Sequence, residues 1–202
     1  MRYAEALALQ RSLVDGKKAG DATDYLVLVE HPPVVTLGRK AEEGHLVVPR
    51  EALAARGIDV ADIERGGDVT YHGPGQLVGY PIVDIKQRGI ALDKYLRLLE
   101  EALIETLLAF GVEGSRRKGL TGVWTAQGKV AAIGVAVTRW ITFHGFALNV
   151  NIDPAEFGVI VPCGLAGEKV TSMRAVLGRP VDMNEVKRVV ADALEKALAK
   201  ES

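Results

Sequence analysis

The sequence has a single cysteine and almost no net charge, and each of these features excludes a class of protein. Cys163 is the only cysteine in 202 residues, so no internal disulfide can form, and we expect a reducing, cytoplasmic location. The net charge of −1 lacks the basic excess that nonspecific nucleic-acid binding requires. No apolar run approaches the ~20 residues that cross a bilayer, so no membrane association is expected. The four histidines fall at no recognised ligand spacing, and no metal centre is predicted.

The remaining composition is typical of one globular domain. Hydrophobic residues make up 48% of the chain, enough for one substantial core. The length favours a single domain over residues 1–202, and we find no internal repeat, low-complexity tract or linker that would divide it.

Hydrophobic patterns predict the order of helices and strands. Helical spacing predicts a first helix at about 2–17, a central one that Asp93 caps and that ends near 110, and a last one that Asp182 or Asn184 caps. Runs rich in β-branched residues predict strands at 25–29, 34–37, 58–63, 77–85, 123–125, 130–137 and 142–150. Strands joined by hairpins, with long helices outside that pattern, predict an α+β fold in which a mixed, largely antiparallel sheet packs with helices.

A stretch rich in glycine and proline, residues 65–81, interrupts these patterns. Its five glycines and two prolines argue against an ordinary helix or a smoothly packed strand. Glycine also lets a ligand or another backbone come close to the main chain. Hydrogen-bonding side chains stand among the glycines. A long surface turn is the ordinary interpretation of such a stretch, and the order of its residues argues against that interpretation here. The hydrogen-bonding side chains are Arg65, Thr70, Tyr71, His72 and Gln76.

This stretch and four others together resemble one known family. Residues 65–77 read Arg-Gly-Gly-x-x-Thr-Tyr-His-Gly-Pro-Gly-Gln-Leu, and residues 30–38, 128–134, 144–149 and 162–164 supply further matches in the same order. The pattern resembles the octanoyltransferases of lipoate biosynthesis, the lipoyl(octanoyl) transferases, over nearly the whole chain. The resemblance implies a fold similar to the catalytic domain of biotin protein ligases and lipoate ligases.

The same resemblance implies an acyltransferase that moves an octanoyl or lipoyl group in the first step of endogenous protein lipoylation. The implied donor is octanoyl-acyl-carrier protein. The implied acceptors are lysines on lipoyl domains of 2-oxoacid dehydrogenase E2 subunits and on the glycine-cleavage H protein. Because a thioester is already activated, no ATP or other cofactor is implied, and we expect a monomer.

Two catalytic residues follow from the resemblance, although each has an ordinary structural interpretation. From the residues alone, Cys163 is typical of a small buried hydrophobe and Lys129, after a hairpin glycine, of a solvated turn. The family carries its acyl-thioester cysteine at the Pro-Cys-Gly position and its catalytic lysine at the Gly-Lys-x-x-x-x-Gly position. A neighbouring ammonium group would favour the thiolate, and the neutral amine could then accept a proton.

The acyl chain is expected in an apolar tunnel with walls from three segments. Without the resemblance, the residues at 132–134 and 145–147 would be interpreted as strand core. His72 is either a structural hydrogen-bonding group or a group that positions the lysine or the acyl carbonyl. The implied substrate-binding residues are Arg65, Gly66, Gly67, Asp68, Val69, Thr70, Tyr71, His72, Ala132, Ile133, Gly134, Gly145, Phe146 and Ala147.

Two alternative functions stay open, and one cationic run has two interpretations. The alternatives are an ATP-dependent lipoate or biotin protein ligase on the same fold, and a non-catalytic fatty-acyl binding module in which Cys163 only packs. Residues 116–118 read Arg-Arg-Lys and form the densest cationic run. Such a run is either a solvated face or a patch that steers an acidic carrier protein.

Overall fold

The computed structural model describes residues 1–161 and 168–200, apart from the side chain of Glu43. Short 3-10 helices lie at Glu43–His45 and Pro154–Val159. The other elements, in chain order, are α1 (Tyr3–Lys18), β1 (Tyr25–Val29), β2 (Val34–Leu37), α2 (Arg50–Ala55), β3 (Asp59–Asp62), β4 (Val69–His72), β5 (Gln76–Ile82), α3 (Leu92–Ala109), β6 (Gly122–Thr125), β7 (Gly128–Thr138), β8 (Ile141–Asn149), α4 (Met173–Leu177) and α5 (Met183–Ala199).

The described strands form two sheets. The larger has the order β1-β5-β8-β7-β6, and all of its pairs are antiparallel. The smaller has the order β3-β2-β4, in which β2 runs parallel to β3 and antiparallel to β4. The α+β class with a mixed, largely antiparallel arrangement is therefore confirmed. The division into two sheets was not predicted, because a strand pattern does not say which strands pair.

The glycine-rich stretch contains more strand than its composition suggested. Residues 76–82 form β5, close to the strand predicted at 77–85, but residues 69–72 form β4, where the composition argued against a packed strand, so that interpretation is wrong for β4. The glycines flank the strands: Gly67 and Gly75 have φ of 87° and 83°, values that suit glycine. The Gly75 carbonyl accepts a hydrogen bond from the backbone N–H of Asn151 at 2.7 Å, which joins this turn to the end of β8.

Helices cover both faces of the five-stranded sheet. Leu77 and Leu148 face a core that contains leucines of α3 and valines of α5. Their neighbours Val78 and Ala147 pack on the opposite face with Ala6 of α1. The change of face follows from the alternation of side chains along a strand. Within the described residues, no helix combines the length and the apolar character needed to cross a membrane.

The caps of the long helices α3 and α5 differ from each other. Asp182 caps α5, since its carboxylate accepts hydrogen bonds from the backbone N–H groups of Asn184 and Glu185 at 2.8 and 3.3 Å. The prediction that Asp93 caps α3 is wrong. The N-cap is Ala91, without a side-chain bond, and Asp93 lies in the first helical turn. There its negative charge still interacts favourably with the helix dipole.

A buried carboxylate on α3 holds the segment that precedes β6. Glu100 is 0% exposed and accepts hydrogen bonds from Arg97 Nη1 at 2.6 Å and from Arg116 Nε at 3.0 Å. Its Oε1 also accepts a hydrogen bond from the backbone N–H of Gly122 at 3.0 Å. These contacts satisfy the charge and fix residues 119–121, which line the cavity described below.

Replacement of Glu100 should therefore destabilise the fold strongly. We expect Glu100→Ala to lower the free energy of unfolding by about 1–3 kcal/mol, because it leaves the buried Gly122 N–H without its acceptor. Glu101→Ala is a matched control on the same helix: its partner Lys200 lies in solvent, and the expected cost is below about 1 kcal/mol. Urea unfolding of both variants measures the difference, and equal losses would contradict this role of Glu100.

Candidate active site

A cavity of about 500 Å³ opens beside β7 and β8, against the glycine-rich stretch. All predicted substrate-binding residues except Tyr71 line it. The structure therefore brings together three segments that are far apart in sequence. The lining residues from the prediction are Arg65, Gly66, Gly67, Asp68, Val69, Thr70, His72, Ala132, Ile133, Gly134, Gly145, Phe146 and Ala147.

Tyr71 lies away from the cavity. Its side chain is 1% exposed, its ring packs edge-on against Phe157 at 5.6 Å between centroids, and its hydroxyl donates a hydrogen bond to Glu156. Side chains alternate along a strand, so Thr70 and His72 point to the cavity side of β4 while Tyr71 points to the other. The prediction that Tyr71 lines the cavity wall is therefore wrong. It assigned every residue of the motif to the wall, whereas side chains on a strand alternate between its two faces.

A pair of glycines lets backbone segments approach each other closely beside the cavity. Gly134 of β7 and Gly145 of β8 are paired in register. A Cβ atom on Gly134 would come within 2.9 Å of the Gly66 carbonyl oxygen, and one on Gly145 would overlap the Gly79 carbonyl oxygen. The Gly66 N–H donates to the Val135 carbonyl oxygen at 2.9 Å across this contact. Missing side chains at these positions thus give close backbone packing beside the cavity.

Lys129 lies at the start of β7 and is buried in the cavity wall. Its exposed fraction is 9%, and its Nζ lies 4.9 Å from the ring centroid of Trp124. Its backbone N–H donates to the Lys169 carbonyl oxygen at 2.7 Å, and its own carbonyl accepts from the Thr171 N–H at 2.9 Å. The interpretation as a solvated turn residue is therefore wrong. The chain that follows residues 162–167 packs over the turn and removes Lys129 from water.

The proposed nucleophile Cys163 lies outside the described residues. Both chain segments that flank residues 162–167 are held by backbone hydrogen bonds. Before them, the Val161 N–H donates to the His45 carbonyl oxygen at 2.8 Å. After them, Lys169 and Thr171 pair with Lys129. The catalytic lysine of the prediction is thus directly bonded to the segment that follows the predicted catalytic cysteine.

A chain of amide hydrogen bonds determines the tautomer of His72. The His72 Nδ1 lies 2.7 Å from Gln76 Oε1, and Gln76 Nε2 donates to Asn149 Oδ1 at 2.9 Å. Asn149 Nδ2 donates in turn to the Thr171 carbonyl oxygen at 2.9 Å. Because an amide oxygen only accepts, we infer that Nδ1 carries the proton and Nε2 a lone pair. Burial lowers the pKa of His72 to about 3, so the ring is neutral and Nε2 can only accept a hydrogen bond.

Two residues of the predicted binding stretch connect it to the smaller sheet and to a neighbouring loop. Arg65 is 8% exposed, and its Nη2 donates to the carbonyl and hydroxyl oxygens of Thr36 at 2.8 and 2.9 Å. Asp68 pairs with His45 Nδ1 at 2.8 Å. This hydrogen bond raises the pKa of His45 above its ordinary value of 6.5.

The cationic run at 116–118 is largely occupied by contacts within the protein. Arg116 bonds to Glu100, and Arg117 Nη1 donates to Glu168 at 3.1 Å. Lys118 is exposed. The arginines of the run therefore fix the wall of the cavity, which weakens the interpretation of the run as a steering patch.

Several cavity residues were not predicted from the sequence. Tyr80 lies inside the glycine-rich stretch and His144 inside a matched segment, so both could have been chosen from the sequence. Tyr3, Leu92 and Leu96 belong to helices and carry no local signal of a site. The complete set of additional lining residues is Tyr3, Lys40, Val78, Tyr80, Leu92, Leu96, Gly119, Leu120, Thr121, Trp124, Val135 and His144.

The buried histidines should make the protein sensitive to acid. Burial lowers the pKa of His72 to about 3 and that of His144 to about 4, below the ordinary 6.5. The unfolded chain therefore binds more protons below pH 6.5, and the free energy of unfolding should fall on acidification by up to about 1.4 kcal/mol per pH unit for each histidine. Urea unfolding between about pH 7 and pH 5 should show a shallower fall for His72→Gln.

His45 provides a control of opposite sign. Its pKa is raised by Asp68, so its contribution to stability is present below pH 6.5 and is lost as the pH rises through the folded value. His45→Gln should therefore steepen the fall on acidification. A slope that neither substitution changes would contradict these protonation states.

The chain matches a family model and named relatives over most of its length. The model of the lipoyl protein ligase A/B catalytic domain matches residues 2–195. An octanoyltransferase of Syntrophotalea carbinolica is 54% identical over 191 residues, which cover 94% of this chain and 87% of the relative. An octanoyltransferase of Geobacter metallireducens is 50% identical over 191 residues, covering 95% and 86%.

Solved structures show the same fold at low sequence identity. A lipoate-protein ligase A bound with ATP superposes with a TM-score of 0.79 at 17% identity, over 96% of this chain and 79% of the ligase. The biotin protein ligase of Aquifex aeolicus superposes with a TM-score of 0.52 at 17% identity, over 82% and 69%. The expected similarity to both ligase folds is confirmed. On the strength of the family model and the named relatives, this chain belongs to the lipoyl protein ligase A/B catalytic domain family and, within it, to the octanoyltransferases.

Proposed function

We propose that this protein transfers an octanoyl or lipoyl group from acyl-carrier protein to a lysine of a lipoyl domain, through a thioester on Cys163. The observation that carries the proposal is Lys129, a lysine buried in the wall of a 500 Å³ cavity and bonded to the segment that follows residues 162–167. A buried amine beside an apolar pocket is suited to proton transfer in acyl chemistry.

In the first half-reaction, the Cys163 thiolate attacks the carbonyl carbon of the donor thioester. The bond from that carbon to the carrier's sulfur breaks, and the departing thiolate takes a proton and leaves as a thiol. The acyl group is then a thioester of Cys163. The ammonium form of Lys129 favours the attacking thiolate and is the proposed source of the proton.

In the second half-reaction, the amine of the acceptor lysine attacks the thioester of Cys163. The new bond is an amide, and the cysteine leaves as a thiolate. The attacking nitrogen must lose a proton, which the neutral amine of Lys129 accepts. The first step exchanges one thioester for another, and the second converts a thioester into the more stable amide, so the cycle balances without a nucleotide.

The cavity suits a medium-length alkyl chain. Apolar side chains of Val78, Ile133, Val135 and Phe146 line it, together with Leu96 from α3. Burial of each methylene contributes about 0.8 kcal/mol, so several methylenes supply useful binding energy. Each half-reaction passes through an oxyanion that requires N–H donors, and the backbone amides of the neighbouring glycine-rich stretch are the candidates.

The tautomer of His72 restricts its proposed role. A lone pair on Nε2 cannot donate to an acyl carbonyl or to an oxyanion. His72 can accept a hydrogen bond from an N–H group, either on Lys129 or on the incoming amine. We therefore assign His72 to positioning an amine and no longer to positioning the acyl carbonyl.

Intact-mass measurement tests the covalent intermediate. Mixing the protein with octanoyl-acyl-carrier protein should add the mass of one octanoyl group, and Cys163→Ala should abolish the addition because the nucleophile is gone. Cys163→Ser is a control that replaces the sulfur nucleophile with an oxygen nucleophile of similar size. A product formed only with ATP would favour the ligase alternative, and an unmodified protein that still binds the chain would favour the binding module.

Substitution of Lys129 separates the two half-reactions. Lys129→Arg keeps a cation but cannot become a neutral base, so formation of the acyl-enzyme should persist at a reduced rate while transfer to the lipoyl domain falls at least about 10²-fold. Lys169→Arg, on an exposed neighbour, is the matched control and should leave both rates unchanged. Equal losses in the two half-reactions of Lys129→Arg would contradict this division of roles.

A further inference from the structure

Trp124 and Lys129 lie side by side on the adjacent strands β6 and β7. The two residues are register partners in the β6–β7 pair, and the Lys129 Nζ lies 4.9 Å from the indole centroid. This distance is within the ~6 Å range of a cation–π contact. Gly122 leaves the space for this arrangement, since a Cβ there would come within 2.9 Å of Lys129 Cε and 3.3 Å of the indole ring. The lysine side chain therefore crosses a glycine and ends against an aromatic ring.

The orientation of this indole is fixed by a partly buried carboxylate. Trp124 is 2% exposed, and its Nε1–H donates to Glu168 Oε1 at 3.1 Å. The Glu168 side chain is 9% exposed, and Arg117 Nη1 donates to both of its oxygens at 3.1 and 3.3 Å. The Arg117 guanidinium carbon also lies 5.2 Å from the indole centroid. The carboxylate thus has charged and neutral donors, and the ring cannot turn without breaking one of these bonds.

These contacts close a cycle around Lys129. Its backbone N–H bonds to the Lys169 carbonyl oxygen at 2.7 Å, and Lys169 directly follows Glu168. Glu168 holds Trp124, and Trp124 holds the lysine ammonium group. The main chain of Lys129 therefore bonds directly to the segment that follows residues 162–167, and its side chain is linked to that segment through Trp124.

We propose that Trp124 and Glu168 are positioning residues that hold the Lys129 amine for acyl transfer. The inference rests on the proposed function, because it assigns Lys129 to the reaction. The ring provides a face that attracts the ammonium, and the charge-assisted bond from Glu168 keeps that face in place. Because a displacement of ~1 Å in a catalytic group can reduce a rate about 10²-fold, loss of this support should reduce turnover.

Four substitutions separate the ring from its hydrogen bond. Trp124→Leu removes the ring and should lower kcat of transfer to the lipoyl domain about 10²-fold, with the dissociation constant of the acyl donor unchanged. Trp124→Phe keeps a ring but loses the N–H, and Glu168→Ala loses the acceptor. Each should lower kcat about 10-fold. Trp124→Phe and Glu168→Ala remove the same hydrogen bond. The variant that carries both substitutions should therefore be no slower than the slower single variant. Glu168→Gln restores an acceptor oxygen and should recover part of the loss.

Trp140 provides the matched control. It is 51% exposed at the β7–β8 turn and does not line the cavity. Trp140→Leu should leave kcat and KM unchanged. Thermal melting of every variant shows that it is folded at the assay temperature.

The outcomes distinguish this inference from the proposed function. If the unsubstituted protein forms no octanoyl-enzyme, the proposed function fails and the inference fails with it. If the unsubstituted protein is active, three results would overturn the inference alone: a folded Trp124→Leu variant with normal kcat, multiplicative losses in the double variant, or a loss confined to KM. A loss of kcat that Glu168→Gln partly restores would support it.

Discussion

Burial of one ammonium group is the constraint on which the rest of this site depends. An unpaired charge in an apolar environment costs several kcal/mol, so a lysine in a cavity wall needs compensating contacts. The Nζ of Lys129 lies against the face of the Trp124 ring. Its backbone N–H and carbonyl both form hydrogen bonds with the segment at 169–171. The fold therefore supplies both an environment that accepts the cation and a fixed position for it.

The cavity beside this amine exists because backbone packs on backbone. Glycines at 66, 134 and 145 allow the glycine-rich stretch to contact β7 and β8 without intervening side chains. Arg65 and Asp68 then attach the same stretch to β2 and to the loop at His45. A wall that is held at several points can surround a flexible alkyl chain while keeping its own shape, which lowers the entropic cost of binding.

Charged residues near the cavity act mainly within the protein. Glu100 is a buried carboxylate and Glu168 a partly buried one, and each takes one arginine from the run at 116–118. In the sequence these arginines are indistinguishable from a solvated cluster, since their acidic partners lie 16 and 51 residues away. Their tertiary contacts make them supports of the cavity wall and of the lysine.

Local pattern and motif determined much of this structure. The bounds of β1 and β2 agree with the hydrophobic runs, the central and last helices follow from their spacing, and the family follows from the ordered motifs. Composition and spacing act over neighbouring residues, which is why they identify elements and motif segments.

Contacts between distant residues were decided only by the tertiary structure. The alternation that turns Tyr71 away from the cavity depends on β4 being a strand, and the burial of Lys129 depends on a segment 40 residues later packing over its turn. Trp124 and Glu168 lie outside the matched motif segments, and the hydrogen bond between them joins residues 44 apart. The sequence by itself determined the family, most of the elements and the candidate catalytic pair. Long-range packing alone decided which side chains face the cavity and what holds the lysine, because burial and hydrogen bonding at these positions depend on residues that are adjacent only after folding.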